Sequence, residues 1–404
     1  MLFEYDLTVI FMKKIIACLL AAFAVIIFPL QCFAEPEVAE KNDTIEDYAK
    51  SSILMCADTG DIIYEKSIVS MNVAVKNAYE HLSPASVTKI MSILLVLEAI
   101  DSGKISLEDE VPAGENSVKM GGSQIWLELG EKMTVNELFK AVVVASANDA
   151  CTALGEYIAG SSQAFVKLMN EKAQSLGLEN TCFENCTGLD DTIKNHYSCA
   201  YDLAVIAREV LKHDLIYNYS TIWLDYLRNG KTELNNTNKL VNKYDGINGL
   251  KTGTTSKAGF CVCATAERED MNLIAVVLGA DTSEHRFQTA SNLLDFGFAE
   301  YAVVAPQIDE AQITPVKIKN GKVKSVVPIY NQTDKLLVKK GDINIIYTYE
   351  IEDSVSAPVE NGAELGEISI KNGDDVIKTI TLVSPKAIEK ISFNYILIEM
   401  LRNI

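Results

Sequence analysis

A serine and a lysine three positions apart offer the clearest chemistry in this sequence. Ser86 and Lys89 stand in PASVTK, directly after Pro84, a residue that favours the first turn of a helix. On a helix, this spacing places both side chains on one face, about one turn apart. A serine hydroxyl is a weak nucleophile, and a desolvated lysine close to other cations can lose its proton and serve as its base. The pair therefore predicts a serine nucleophile activated by lysine, with free N–H groups of the first turn stabilising the developing negative charge.

Two further motifs follow this pair along the chain. Ser146-Ala147-Asn148 comes after an apolar stretch that is predicted to be helical, and Lys251-Thr252-Gly253 enters a predicted strand. Each motif alone is short enough to arise by chance, and Lys-Thr-Gly could be no more than a strand edge. Their order and their placement on helix, loop and strand argue against coincidence and predict a single site.

Regular elements are predicted around these motifs. Helical patterns cover 90–100, 135–145, 150–158 and 291–301, and strand patterns cover 51–56, 62–66, 259–266 and 273–279. Pro84 predicts the start of the first helix, with Ser83 as its N-cap, and Thr134 with Glu137 fits a capping box before the second. The mixture predicts an α+β domain over residues 35–301.

The pattern changes near residue 302. From there to residue 384 the chain has short alternating runs of Val, Ile, Lys and Asp, separated mostly by Asn-Gly turns such as Asn361-Gly362 and Asn372-Gly373. Regular short strands with such turns predict a small all-β domain over 302–384, in which no catalytic cluster is visible.

The last segment, 385–404, is predicted to be one amphipathic helix. Its apolar side chains recur every three or four positions, at Ile388, Ile391, Tyr395, Ile398 and Leu401. It is too short and too charged to span a bilayer, so it either lies on a membrane surface or packs on the β domain. We favour the membrane surface, because the apolar stripe would otherwise be exposed.

The first residues, 1–34, have the pattern of a secretory signal peptide. Lys13 and Lys14 precede an apolar run over 15–30 that ends with small residues at 32 and 34. Met12 is the better start than Met1, because the residues between them carry no positive charge. The run is short for a permanent anchor helix, and the residues before Cys32 match a lipoprotein box poorly. Export and cleavage are therefore expected.

Composition limits the remaining classes of function. The 404 residues carry a formal charge of −19, which opposes binding to nucleic acid, and suffice for two or three domains. Histidines and cysteines show no metal-ligand spacing, so no metal is predicted. Past residue 34 there are seven cysteines, an odd number, and free buried thiols are the default expectation.

The motifs resemble the SxxK, SxN and KTG triplet of penicillin-binding proteins and serine β-lactamases. Longer stretches, such as ASANDACTALGEYIAG and DGINGLKTGTTSKAGFC, resemble low-molecular-weight D-alanyl-D-alanine carboxypeptidases, and the similarity covers roughly residues 50–300. It implies a transpeptidase-like domain, an antiparallel sheet flanked by helices, without a cofactor. The β-rich segment and the terminal helix stand where that family carries its C-terminal domain and membrane anchor.

The resemblance also implies roles for individual residues. Ser86 would attack the carbonyl between two terminal D-alanines and form an acyl-enzyme, with Lys89 as its general base. Ser146 would relay the proton to the leaving amine, and Asn148 would hold the substrate amide. The backbone N–H groups of Ser86 and Thr254 would form the oxyanion hole.

The remaining implied roles concern the terminal carboxylate of the substrate. Lys251 would supply positive potential, Thr252 a hydrogen bond, and Gly253 room for the substrate backbone. Arg286 either helps to bind this carboxylate or is an arginine on a helix surface. Ala147 departs from the glycine or aspartate of related enzymes, which bears on family assignment more than on activity.

Other functions remain open at this level. A β-lactamase would need a carboxylate for deacylation, and Glu233-Leu234-Asn235 lies too close before Lys251 to supply it. A non-catalytic wall-binding protein would not need a serine–lysine pair. An endopeptidase that cuts crosslinks would use the same residues, and the sequence does not separate a vegetative from a sporulation role. The expected partners are peptidoglycan stem peptides and β-lactams, and the expected location is the outer face of the cytoplasmic membrane or the cell wall.

Overall fold

Helices and strands are mixed up to residue 300, and strands dominate after it. The computed structural model describes residues 45–70, 73–189, 194–330, 335–341, 344–393, 395–396 and 401, with the backbone only at 67–70 and 73–76. The predicted signal peptide lies outside the described residues.

The described helices are α1 (Lys89–Asp101), α2 (Glu115–Val118), α3 (Val135–Ala145), α4 (Asn148–Ala159), α5 (Ser162–Ser175), α6 (Ala200–Val210), α7 (Tyr217–Ser220) and α8 (Ser283–Glu300). The described strands are β1 (Ser51–Cys56), β2 (Ile62–Glu65), β3 (Ser67–Ser70), β4 (Val73–Lys76), β5 (Glu110–Pro112), β6 (Lys132–Thr134), β7 (Leu224–Leu227), β8 (Thr232–Asn235), β9 (Ile247–Thr255), β10 (Gly259–Arg268), β11 (Met271–Ala280), β12 (Tyr301–Val304), β13 (Val316–Lys319), β14 (Ser325–Val326), β15 (Leu336–Lys339), β16 (Ile345–Ile351), β17 (Ser354–Ser356), β18 (Glu364–Asn372) and β19 (Asp375–Val383).

A five-stranded antiparallel sheet forms the centre of the region before residue 301. Its strand order is β2-β1-β11-β10-β9, so that β9 lies at one edge with its outer side unpaired within the sheet. Helix α8 covers one face, where Leu293 and Leu294 share an apolar cluster with the inward side chains of β10 and β11. The remaining long helices cover the other face, around Ile274 and Val276. The predicted α+β class, an antiparallel sheet flanked by helices, is confirmed.

Helix α1 is apolar on nearly all sides and runs through the core. Ile90, Met91, Ile93, Leu94 and Leu97 are all fully buried, as expected for a helix enclosed by other elements. Because this helix is enclosed, its first residue, Lys89, is also held away from solvent.

Two local predictions have clear outcomes in these helices. The capping box before α3 is confirmed, since Thr134 accepts from the Glu137 N–H and the Glu137 carboxylate accepts from the Thr134 N–H. Helix α8 begins at Ser283, well before the predicted 291, because the Thr282 side chain accepts the N–H of His285 and caps it there. This extension carries Arg286.

The strands after residue 300 build a smaller β region with its own apolar core. Strands β16, β18 and β19 form one antiparallel sheet, and the hairpin of β18 and β19 turns at Gly373, which has a positive φ of 61°. Ile368, Ile370 and Leu382 fill the core beneath this sheet. A small all-β part is thus present as expected, and its predicted boundary at 302 stays a prediction.

The prediction of a helix beginning at 385 is wrong for its first turns. Ile388 pairs with Val359 and Lys390 with Gly321, so this part of the chain is extended. Ile388 is only 4% exposed, because its side chain fills the core of the β region beside Val359. Helical structure begins at residue 393, and Ile398 lies outside the described residues. Within the described part of the chain, no helix is both long enough and apolar enough to cross a membrane.

Candidate active site

The structure brings Ser86 and Lys89 together at the buried end of α1. Ser86 lies on a 3₁₀ turn, Ala85–Thr88, with Pro84 at the N-cap position, and Lys89 is the first residue of α1. The Lys89 ammonium lies 2.9 Å from Ser86 Oγ and donates to the Thr187 carbonyl at 2.8 Å. Burial lowers the pKa of Lys89 to about 8. A base of this strength exists partly as the free amine near neutral pH.

A loop that sequence reasoning did not single out holds Lys89 in place. The Asn185 carboxamide oxygen accepts the N–H groups of Thr187 at 3.1 Å and Gly188 at 2.7 Å, which fixes the carbonyl that Lys89 uses. A Cβ on Gly188 would lie 1.8 Å from the Ala85 carbonyl oxygen, so only glycine lets this loop approach the nucleophile turn. In the sequence, the short turn motif Asn185-Cys186-Thr187-Gly188 could have indicated this loop.

The second motif forms a tight corner between α3 and α4. Ser146 ends α3 in the left-handed conformation, with φ 63°, and Asn148 opens α4. The Asn148 amide group donates to the Gly121 carbonyl at 2.7 Å. Ser146 Oγ and Asn148 Oδ1 are buried and have no hydrogen-bond partner among the described residues. Buried polar atoms normally have partners, so these two atoms are suited to meet a substrate.

The third motif lies on the edge strand β9. Lys251 is 1% exposed, and its ammonium donates to the Thr252 carbonyl at 3.1 Å. A Cβ on Gly253 would lie 2.7 Å from the Pro84 carbonyl oxygen and 2.9 Å from the Ser86 nitrogen. Glycine at this position therefore allows the strand to pack directly against the nucleophile turn.

Arg286 reaches this strand from α8. Its guanidinium donates to Thr254 Oγ1 at 2.9 Å and to the Gly253 carbonyl at 3.1 Å. Arg286 is 7% exposed, so it is not the surface arginine that remained open from the sequence. Its Nε is buried without a partner in the described part of the chain.

Comparison with known proteins identifies the family of this chain. The sequence profile described as D-alanyl-D-alanine carboxypeptidase matches residues 37–282, and that of the penicillin-binding protein 5 C-terminal domain matches 307–390. The chain belongs to the D-alanyl-D-alanine carboxypeptidase family. It is a serine-type D-Ala-D-Ala carboxypeptidase and a low-molecular-weight penicillin-binding protein.

Individual relatives cover both parts of this carboxypeptidase. D-alanyl-D-alanine carboxypeptidase DacF of Bacillus subtilis is 39% identical over 95% of this chain and 96% of its own length. The crystal structure of penicillin-binding protein 5 from Haemophilus influenzae superposes with a TM-score of 0.76 at 29% identity, over 85% of this chain and 98% of that one. Penicillin-binding protein D2 from Listeria monocytogenes, in its ampicillin-bound form, has a TM-score of 0.56 at 29% identity, over 63% of this chain and 99% of that one.

Three buried cations give the carboxypeptidase site its electrostatic character. Burial, reinforced by Lys89 and then Arg286, holds the pKa of Lys251 well below its ordinary value. Burial also lowers the pKa of Arg286 to about 10. No described carboxylate contributes to the shifts of these three groups. An anionic ligand would relieve their mutual repulsion, so the site is suited to a carboxylate.

The sequence of this carboxypeptidase also raised the questions of its cysteines, a metal site and Glu233. Cys151 and Cys186 are buried near Lys89, and the seven described cysteines form no disulfide with one another. The described residues hold no cluster of histidine, cysteine or carboxylate side chains suited to a metal ion. Glu233 is exposed on strand β8, where Asn235 donates to its carboxylate at 2.6 Å.

Proposed function

We propose that the enzyme removes the terminal D-alanine from peptidoglycan pentapeptide stems through an acyl-enzyme on Ser86. The observation that carries this proposal is the Lys89 ammonium, fully buried, with a lowered pKa, and 2.9 Å from Ser86 Oγ. A nucleophile and its base within hydrogen-bond distance are the arrangement that covalent catalysis requires.

Acylation then proceeds by direct proton transfer. The amine of Lys89 takes the Ser86 proton while Oγ bonds to the carbonyl carbon of the penultimate D-alanine. The N–H groups of Ser86 and Thr254 receive the oxyanion. The C–N bond breaks as Ser146 passes its proton to the leaving amine of the terminal D-alanine, and Lys89 returns the proton from Ser86 to Ser146, which leaves Lys89 free again as a base. Water then hydrolyses the ester with Lys89 as base and frees Ser86.

The substrate is held along the edge strand β9. Its terminal carboxylate is attracted by the positive charges of Lys251 and Arg286 and accepts a hydrogen bond from the hydroxyl of Thr252. Gly253 keeps this side of the cleft free of a side chain, so that the substrate backbone can extend beside the strand. On the opposite wall, the unpartnered Asn148 Oδ1 accepts from a substrate amide.

β-Lactams would react with the same serine. Their strained amide and carboxylate occupy the places of the scissile bond and the terminal carboxylate. Attack by Ser86 opens the ring, so the amine stays attached to the acyl group and nothing leaves the site. Slow hydrolysis of this adduct distinguishes the enzyme from a β-lactamase, whose deacylating carboxylate the Glu233 segment does not supply.

Mass spectrometry tests the assignment of the nucleophile. Benzylpenicillin should add its mass to residues 35–404, and peptide mapping should place the adduct on Ser86. Ser86→Ala and Lys89→Met should each lower D-alanine release from a pentapeptide by about a thousandfold or more, because one lacks the nucleophile and the other its base. Cys151→Ser, a nearby buried change outside the proposed mechanism, is the matched control. An adduct that persists in Ser86→Ala would refute the assignment.

We also propose that the enzyme works outside the cytoplasm, at the outer face of the membrane. The signal-peptide pattern over 1–34 supports export. At the other end, Phe393 is 78% exposed and Leu401 is 65% exposed, so large apolar side chains face solvent beyond the β region. Insertion of such side chains at a lipid surface would remove them from water.

A further inference from the structure

A groove of about 850 Å³ lies on the surface between two segments of the catalytic region, residues 125–131 and residues 228–233. We call it the Trp126 groove. Trp126 is 75% exposed and Leu129 is 67% exposed, which is unusual for large apolar side chains in a single small area. None of the catalytic roles proposed above uses this groove.

The Trp126 groove is tied to the active site through one loop. The buried carboxylate of Asp149 accepts the N–H groups of Ile125 and Leu127, both at 3.1 Å. Its neighbour Asn148 donates its backbone N–H to the Ser123 carbonyl at 2.7 Å. The residue proposed to hold the substrate amide and the wall of the groove are therefore parts of one hydrogen-bonded unit.

Trp126 is held in its exposed position at a cost in backbone energy. Its φ is 59°, in the left-handed region that a bulky residue seldom adopts. Arg228 fixes this backbone by donating to the Ile125 carbonyl at 2.8 Å and the Trp126 carbonyl at 3.4 Å, while it pairs with Glu131 at 2.6 Å. The protein thus fixes the backbone that presents this indole to solvent, although burying the indole would be favourable.

The other wall of the groove adds polar groups. Thr232 and Glu233 lie on strand β8, and Tyr226, which is 47% exposed, stands opposite Glu233 in the register of β7 and β8. An aromatic face with carboxylates and a hydroxyl nearby can pack against the C–H face of a pyranose and bind its hydroxyl and acetamido groups. The groove volume is also within the range of sites for small ligands.

We propose that the Trp126 groove binds an N-acetylated amino sugar of the glycan strand to which the stem peptide is attached. The inference rests on the proposed function, since it places the glycan beside the peptide that the active site cleaves. The groove carries carboxylates at Glu128, Glu131 and Glu233 against cations at Arg228 and Lys231, so it does not select an anion. This balance fits a neutral, hydroxyl-rich ligand better than an anionic lipid or polymer.

Tryptophan fluorescence gives a direct binding test, because the chain has only two tryptophans. Tetra-N-acetylchitotetraose is titrated into the enzyme, residues 35–404. A saturable change in emission should appear in the wild type and in the control Trp223→Phe, and calorimetry, which does not depend on the indole, should show no binding by Trp126→Ala. Trp126→Phe, which keeps an aromatic ring, should retain binding when measured by calorimetry. No binding in the wild type, or equal binding by Trp126→Ala, would overturn the proposal.

A second measurement compares two substrates, a free pentapeptide and the same pentapeptide on its disaccharide. Trp126→Ala should reduce the preference for the disaccharide form in kcat/KM about fivefold, the loss of one aromatic contact, while Trp223→Phe keeps the wild-type preference. An unaltered preference in Trp126→Ala would refute the glycan site. A wild-type dimer that dissociates on the Trp126→Ala substitution would refute it as well, because a second copy of the chain would then cover the groove. Failure to cleave either substrate would instead refute the proposed function, and chitotetraose binding would still report on the groove.

Discussion

The catalytic region, residues 45–300, and the C-terminal β region differ in whether they bury charged side chains. In the catalytic region Lys89, Lys251, Asp149 and Arg286 are all nearly or fully buried. In the described part of the chain after residue 302, the buried polar residues are two serines, Ser369 and Ser384, and each charged residue is at least partly exposed. One region therefore keeps cations where water cannot screen them, and the other buries apolar groups and uncharged hydroxyls.

This difference in buried charge reflects the separate requirements of the two cores. A buried ammonium costs free energy, which the large apolar core around α1 must offset. In return, its pKa falls into the range where it can act as a base, and its field on a carboxylate is strong. The β region has no such demand and can optimise packing alone, so its stability and the chemistry of the site should be separable.

The largest expected effect is on the folding of the β region. Ile368 is fully buried in its core, so Ile368→Ala should lower the free energy of unfolding by about 2–5 kcal/mol. Val376→Ala, at a position in the same sheet that is 57% exposed, is the matched control and should change stability little. Chemical denaturation measures both, and the rate of benzylpenicillin acylation should stay at the wild-type value. Slower acylation in Ile368→Ala would show that the two regions are coupled.

The second effect concerns the buried cations. With the pKa of Lys89 at about 8, the free-amine fraction rises about 50-fold between pH 6 and pH 8 and less than twofold above that. The second-order rate of acylation by benzylpenicillin should rise with it and then level off. It should decline again at higher pH as Lys251, whose pKa is held well below its ordinary value by burial and then by Lys89, loses the charge that attracts the carboxylate. Lys89→Arg keeps the cation but cannot supply a free amine, so its acylation should be negligible at every pH tested. A flat profile between pH 6 and pH 8 would contradict Lys89 as the base.

The smallest effect concerns the end of the β region. Binding of residues 35–404 to sedimented liposomes should weaken about tenfold when Phe393 and Leu401 are both changed to serine, since two apolar side chains are lost from the surface contact. Val327→Ser alters a side chain that is 52% exposed elsewhere in the β region and serves as the control. A truncation should remove 393–404 and leave Ile388, which belongs to the core. Equal sedimentation of the double variant would refute the tether.

The local features of the site were predictable from the sequence because neighbouring residues determine them. The three-residue spacing of Ser86 and Lys89 places both on one turn, whatever packs around it. The same holds for the capping box of Thr134 and Glu137, which needs only the first turn of its own helix. The resemblance to a family then supplied the remaining candidate residues, and the structure brings the turn of Ser86, the strand at Gly253 and the guanidinium of Arg286 into contact.

Features that depend on a distant partner were decided only by the tertiary structure. The Thr187 carbonyl that fixes Lys89 lies 98 positions away along the chain, and the close approach of Gly253 to Ser86 joins a strand to a turn. The periodicity of residues 385–404 correctly marked apolar side chains but could not show that Ile388 fills a core while Phe393 faces solvent. A hydrophobic pattern records which side chains avoid water, and only the assembled fold decides which surface receives each of them.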